Sequence, residues 1–120
     1  MSVTSAESAL YLILSAVSGG RVYPLVLPDN VAVPAIVYQR ISTRPINVLD
    51  GTLPYEEIRW QIDAWAMTAP AAMSAFIEAR QALLQQPHYF MLDGYSTEYE
   101  PDTKRYRVTA DVIGWYNPSQ

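Results

Sequence analysis

The sequence contains no cysteine and a single histidine, His88. Disulfide frameworks, thiolate zinc sites, iron–sulfur ligation and cysteine nucleophiles are thereby excluded, and so is paired-histidine chemistry. Charge is sparse, at 17% of residues, and its balance is wrong for gripping nucleic acid: 8 Lys and Arg face 12 Asp and Glu, for a net charge of −4. Non-specific binding to DNA or RNA needs many phosphate-neutralising cations. Long apolar runs are missing too. The longest, Ala9 to Val17, is interrupted by Ser15, whereas roughly 18–20 apolar residues are needed to cross a bilayer. Glu7 and no basic residue precedes it, so it also fails as a secretory signal, and a cytoplasmic compartment is expected. What the chain does have is 120 residues, half of them apolar, with nine tyrosines, three tryptophans and two phenylalanines. That suffices for one domain, residues 1–120, with a core that needs no covalent staples.

Thr4-Ser5-Ala6-Glu7 fits a capping box, and Ala6, Ala9, Leu10, Ile13, Leu14 and Val17 follow at the spacing of one buried helix face. Gly19-Gly20 closes that helix. Residues 21–34 hold three prolines and Asp29-Asn30, and read as a loop with a short extended piece at Arg21-Val22-Tyr23. Ala35 to Ser42 reads as a strand. Residues 43–54, with two prolines and Asp50-Gly51, read as a long connection, functional or mobile. Glu56 to Met67 is the clearest strand, with Ile58, Trp60, Ile62, Ala64 and Ala66 on one face and Glu57, Arg59, Gln61 and Asp63 on the other. Thr68-Ala69-Pro70 starts a second helix, whose buried stripe is Met73, Phe76, Ile77, Leu83 and Leu84, with alanines between; Pro87 stops it. His88–Leu92 and Tyr95–Tyr99 read as two extended pieces either side of an Asp93-Gly94 turn. A turn at residues 101–104 then leads into a last strand, Arg105 to Tyr116, before an Asn117–Gln120 tail. The order α-β-β-α-β-β predicts an α+β sandwich: an antiparallel or mixed sheet of about four strands, with both helices on one face.

No arrangement of reactive groups stands out. His88 lacks a Ser or Cys partner at triad spacing and is expected to be a packing or surface residue. Asp63 and Asp111 could form a carboxylate pair, the basis of a hydrolase reading, but Arg59, Arg105 and Arg107 beside them favour a cross-strand charge ladder. Asp93, Glu98, Glu100 and Asp102 lack the ligand order of a calcium loop and read as a solvated hairpin. Gly19-Gly20 has no following Lys-Ser/Thr, so no phosphate loop is present. A metal or cofactor is not expected, nor is an enzyme. Surface character is what remains. The sheet face carrying Arg59, Gln61, Asp63, Trp65, Arg105, Arg107, Asp111 and Trp115 mixes charge with aromatics, the composition of protein–protein hot spots. Val31, Val33, Ile46, Val48, Leu49 and Leu53 in the proline-rich segments either add to an exposed contact surface or fold back over the core. Assembly through sheet and loops is therefore the favoured function class. The alternative is a small ligand- or peptide-binding regulatory module with a pocket between helices and sheet.

Three segments together resemble a known family. Gly20-Arg21-Val22-Tyr23-Pro24-Leu25 with Pro34–Ser42, the strand Arg59–Ala66 followed by an Ala-rich helix ending Arg80-Gln81-Ala82-Leu83, and Tyr106–Tyr116 resemble the tail-completion proteins (tail terminators, head–tail joining) of long-tailed bacteriophages and prophages. The resemblance covers nearly the whole chain. It implies a non-enzymatic virion protein that caps the tail tube as a ring, hexameric in some relatives, ends tube polymerisation and forms the joint to the head. The implied partners are further copies of itself, the tail tube protein and a head connector or head completion protein, with DNA only passing through the bore and no membrane. The implied location is the virion tail, assembled in the host cytoplasm. Ring contacts in relatives involve sheet edges and long loops, which here would be residues 35–42 and 43–54. The interface set expected from face and loop together is Arg44, Ile46, Val48, Leu49, Asp50, Leu53, Arg59, Asp63, Trp65, Arg105, Arg107 and Trp115.

Overall fold

A computed structural model describes residues 6–48, 51–85 and 90–116, with the backbone alone at residues 47–48 and 51–54. The Thr4 cap, Leu49, Asp50, Pro87, His88 and the 117–120 tail lie outside the described residues, as do the side chains of Val48 and Leu53. The elements in chain order are α1 (Ala6–Leu14), β1 (Val22–Pro24), β2 (Ala35–Val48), β3 (Gly51–Ala66), α2 (Ala69–Leu84), β4 (Phe90–Glu100) and β5 (Arg105–Tyr116). They form an α+β fold with a five-stranded mixed sheet in the order β1-β2-β3-β5-β4.

The expectation of about four strands is corrected by β1. The extended piece at Arg21–Tyr23 pairs in parallel with β2, with Val22 beside Ile36 and Pro24 beside Tyr38. All other neighbours are antiparallel. β1 covers only the first few residues of β2, and proline is tolerated there because β1 is an edge.

Two further segments read as breaks are strand. Residues 43–54 are not a structureless connection: β2 continues to Val48 and β3 begins at Gly51, with Arg44 opposite Glu57 and Val48 opposite Gly51. Bulges between Arg40 and Ser42 and between Pro45 and Asn47 absorb the irregularity, which is where an edge strand accommodates proline. β5 ends at Tyr116, opposite Glu56. Beyond that level β2 and β3 continue as a two-stranded ribbon for about 17 Å, at roughly 3.4 Å per residue. Likewise Asp93-Gly94 is not a turn. β4 runs through it with a bulge between Leu92 and Gly94, so the two expected pieces are one strand.

Both helices lie on one face. Ile58, Trp60, Ile62, Ala64 and Ala66 of β3, Val108, Ala110 and Val112 of β5, and Ile36 and Tyr38 of β2 meet Leu10 and Leu14 of α1 and Ala72, Ala75, Phe76, Ala79 and Leu83 of α2 in a single core. The period-two pattern of β3 and β5 places these residues inward, as the alternation predicts. The alanines let α2 approach the sheet closely, and its stripe is narrower than predicted: Ile77 and Leu84 are exposed. Thr68 caps α2 by accepting a hydrogen bond from the Ala71 amide at 3.2 Å. α1 ends early, at Leu14, and the chain passes through a 3₁₀ turn in which Gly19 and Gly20 take φ of 62° and 81°. Arg40 ties α1 to β2: its Nε and Nη2 donate to the two Glu7 carboxylate oxygens at 2.7 Å each. Burial alone would push the Glu7 pKa up, but these bonds and the Arg40 charge bring it below its ordinary value.

Candidate functional site, the uncovered sheet face

Neither helix covers the opposite face of the sheet. Residues alternating with the core set on β3 and β5 project there, and Arg107 of β5 is the hub. Its Nη2 lies 2.7 Å from Glu98 Oε2 and 2.8 Å from Glu100 Oε1, its Nη1 lies 3.6 Å from Asp63 Oδ2, and its guanidinium carbon sits 5.4 Å from the centre of the Trp65 ring. The β4–β5 register makes this cluster. A four-residue turn at 101–104 sets Glu100 opposite Arg105 and Glu98 opposite Arg107, while β3 brings Trp65 opposite Arg107 and Asp63 opposite Thr109.

Asp63 is the buried charged residue of this face, at 6% exposure. Burial raises its pKa above the ordinary carboxylate value. Hydrogen bonding from Thr109 and Gln61 and the positive charge of Arg107 work in the other direction, and Glu98 adds to the rise. One cation therefore serves three carboxylates, one of them nearly dry. Trp65 Nε1 and Arg107 Nε are buried without a hydrogen-bond partner.

A groove of ≈ 620 Å³ opens above the cluster. Its floor includes Val37, Gln61, Asp63 and Trp65; one wall is the segment Leu25–Asn30, and Arg105 and Thr103 close the far side. Arg105 Nη2 donates to the Val31 carbonyl at 3.3 Å, which holds the proline-rich segment to this face. Val31 and Val33 are accordingly half-buried, whereas Leu25 and Val26 remain 64% and 71% exposed. Of the apolar residues singled out in the proline-rich segments, Val31, Val33 and Ile46 are half-buried, and the side chains of Val48, Leu49 and Leu53 lie outside the described residues.

The sequence-derived contact set separates into groups. Asp63, Trp65, Arg105 and Arg107 come together at the groove. Arg59 pairs with Asp93 at 2.8 Å, nearer the opposite end of β4; that pairing holds its guanidinium more basic than usual, against a small opposing effect of burial. Trp115 faces Glu57 across the β3–β5 pair. Arg44 stands opposite Glu57, just short of the ribbon, 74% exposed and with its Nη2 3.0 Å from Glu57; Ile46 follows on the ribbon. Of the expected charge ladder, Asp63 and Arg107 come together across β3 and β5, at 3.6 Å; the closer partner of Arg107 is Glu98, directly opposite on β4.

Two features went unread. Glu98 and Glu100 lie on a largely exposed hairpin, as expected, yet also wrap Arg107, and the turn at 101–104 carries the signal, because it dictates which residues face each other. Burial of Asp63 had no such signal. Asp63 and Asp111 do not form a pair, because the register sets Asp111 opposite Gln61 and Asp63 opposite Thr109. Among the described residues no three His, Asp or Glu side chains are grouped to hold a metal ion, and no helix is long and apolar enough to cross a membrane. A second, apolar cleft of ≈ 240 Å³ lies between α2 and the start of β4, lined by Phe76, Leu83, Phe90 and Leu92 among others. It brings no cluster of reactive groups together.

Comparison with known proteins bears on what such a face is for. The family of the tail completion protein gp17 matches residues 11–117. No curated protein matches in sequence. A chain in a solved structure titled "Virion of native gene transfer agent (GTA) particle" superposes with a TM-score of 0.69 at 14% identity, covering 92% of this chain and 93% of that one. At that identity the likeness is one of fold.

Proposed function

Given that this chain belongs to the tail completion protein gp17 family, a family of structural tail proteins and not enzymes, we propose that it caps the phage tail tube as a hexameric ring. In that position it ends tube polymerisation and presents the surface to which the head connector or head completion protein joins. The observation that carries the reading is the family match across residues 11–117. The geometry supports it: the helices cover one side of the sheet only, and the other side displays Arg, Trp and carboxylates around a groove. A ribbon projects past the sheet, with exposed Arg44 at its base. Heterologous contacts between identical subunits close into a ring when the rotation per subunit divides a full turn.

The proposed partners are further copies of this chain, the tube protein and the head-side connector, with DNA passing through the bore. Assembly takes place in the host cytoplasm and the product resides in the virion tail. A net charge of −4 suits a channel wall along which DNA must slide without sticking. The test is deletion of the gene, followed by electron microscopy of tails and particles. The expected result is tubes of uncontrolled length and heads without tails, restored by the intact gene. Normal-length tails joined to heads in the deletion would overturn the proposal.

A further inference from the structure

The sheet has two unpaired edges, and they are unlike. On one side, the outer side of β4 has no strand beside it along Phe90–Glu100 among the described residues. On the other, β1 pairs with β2 only at Ile36–Tyr38, and the Leu25 amide donates to the Tyr38 carbonyl. From Gln39 to Val48 the outer side of β2 has no strand beside it among the described residues. A long edge presents a row of free amides and carbonyls and pairs with another strand unless something blocks it. β4 carries no proline and no lysine.

The two edges are also opposite in charge. β4 bears Asp93, Glu98 and Glu100 and no base, and those acids are 48%, 47% and 34% exposed. The open stretch of β2 bears no acid and two bases, Arg40, whose charge is already met by Glu7, and Arg44. Arg59 meets Asp93, but Arg107 alone is shared among Asp63, Glu98 and Glu100, so the β4 edge stays negative after its internal pairings. Arg44 uses a single nitrogen on Glu57 and leaves most of its fork in solvent. Strand direction agrees with the charges. β2 and β5 run one way and β3 and β4 the other. A second copy placed alongside in the same orientation therefore sets its β2 antiparallel to the first copy's β4.

We propose that β4 of one copy pairs in antiparallel fashion with the open stretch of β2, Gln39–Val48, of the next copy, joining the sheets of successive subunits edge to edge. The proposal rests on the ring reading above and specifies its contact. The competing arrangement for an edge strand, two β4 strands paired about a two-fold axis, would bring two acidic strands together with no base between them, which costs electrostatic energy. It would also end at a dimer, because it uses the same edge on both partners.

The absence of cysteine makes the test clean. Single variants Ser42→Cys, Met91→Cys and Ser96→Cys place thiols at exposed positions on the two edges, Met91 standing level with Ser42 across the sheet and Ser96 further along β4. Each variant is checked for native circular dichroism, assembled at high concentration and on tail tubes, and oxidised alone and in pairs. The expected result is a covalent dimer from Ser42→Cys mixed with one of the β4 variants, and none from any variant alone. Arg44→Glu reverses the exposed base of the β2 edge and is expected to raise the concentration for half-assembly about tenfold. Dimers from Met91→Cys or Ser96→Cys alone would show β4–β4 pairing and overturn the proposal. Rings seen by microscopy with no cross-link in any mixture would overturn it while leaving the ring in place. Failure to assemble under every condition, tubes included, would remove the ring and this contact with it.

Discussion

Replacing Arg107 with methionine isolates the energetics of the uncovered face. Methionine retains most of the stem's packing on Trp65 and removes the guanidinium. Asp63 then keeps only Gln61, at 3.3–3.4 Å, and Thr109. Leaving a buried charge without its partner costs about 3 kcal/mol, the low end of the range for such pairs, because 3.6 Å is a long contact. Glu98 and Glu100 turn into water and add about 0–1 kcal/mol each. The sum is a sizeable part of the roughly 5–15 kcal/mol that holds a domain folded. The pH dependence is the sharper signature. Asp63 binds its proton more tightly folded than unfolded, so its favourable contribution is complete below the ordinary carboxylate value of 3.8 and is lost as pH rises through the raised folded value. Without Arg107 the folded value rises further and that window extends upward. Urea melts followed by circular dichroism at pH 7.5 and pH 5 should therefore show a deficit that shrinks at the lower pH. Arg107→Met/Asp63→Asn should recover most of it, the double-mutant cycle reporting the coupling. The reasoning is refuted by an equal deficit at both pH values, or by a double variant no more stable than Arg107→Met.

Other substitutions probe the layers separately. A methyl group at Gly114 would sit 2.8 Å from the Phe90 ring, so Gly114→Ala should destabilise by about 1–3 kcal/mol, and Phe90→Leu in the same chain should relieve part of it in thermal melts. Thr68→Ala removes the hydrogen bond to the Ala71 amide and should cost about 0.5–2 kcal/mol, read in urea melts. Glu7→Gln breaks the paired bonds to Arg40; with both side chains partly exposed the loss at pH 7 should stay below about 1 kcal/mol. Since the Glu7 pKa is lowered on folding, that stabilisation is present above the ordinary value of 4.5 and disappears as pH falls through the lowered one, so wild type and variant should converge in acid.

The strands with strict alternation, β3 and β5, were legible because burial on one face imposes a period of two. The helices were legible from their caps and apolar spacing. The ribbon was not, because Pro45, Pro54 and Asp50-Gly51 carry the composition of a loop, and only pairing with a partner strand reveals that a bulge tolerates Pro45. β1 was visible as extended chain, but its parallel pairing joins segments separated by the 25–34 loop and leaves no local trace. Asp93-Gly94 misled for a related reason, since the same dipeptide that makes a turn also makes a bulge on an edge strand. At the candidate site, Asp63, Trp65, Arg105 and Arg107 followed from face assignment alone. Glu98 and Glu100 needed the hairpin register as well, and the desolvation of Asp63 needed the fold of the proline-rich segment over the sheet.

The ribbon leaves the sheet at one extremity only, and the β4–β5 turn occupies the other. When such subunits stand side by side in the same sense, all ribbon tips gather on one rim and all β4–β5 turns on the opposite rim. An object built this way has a top and a bottom that differ in chemistry, and turning it over changes what it shows. A joint between two unlike neighbours requires that polarity, and in the proposed ring it would come from one hairpin being longer than the strand beside it.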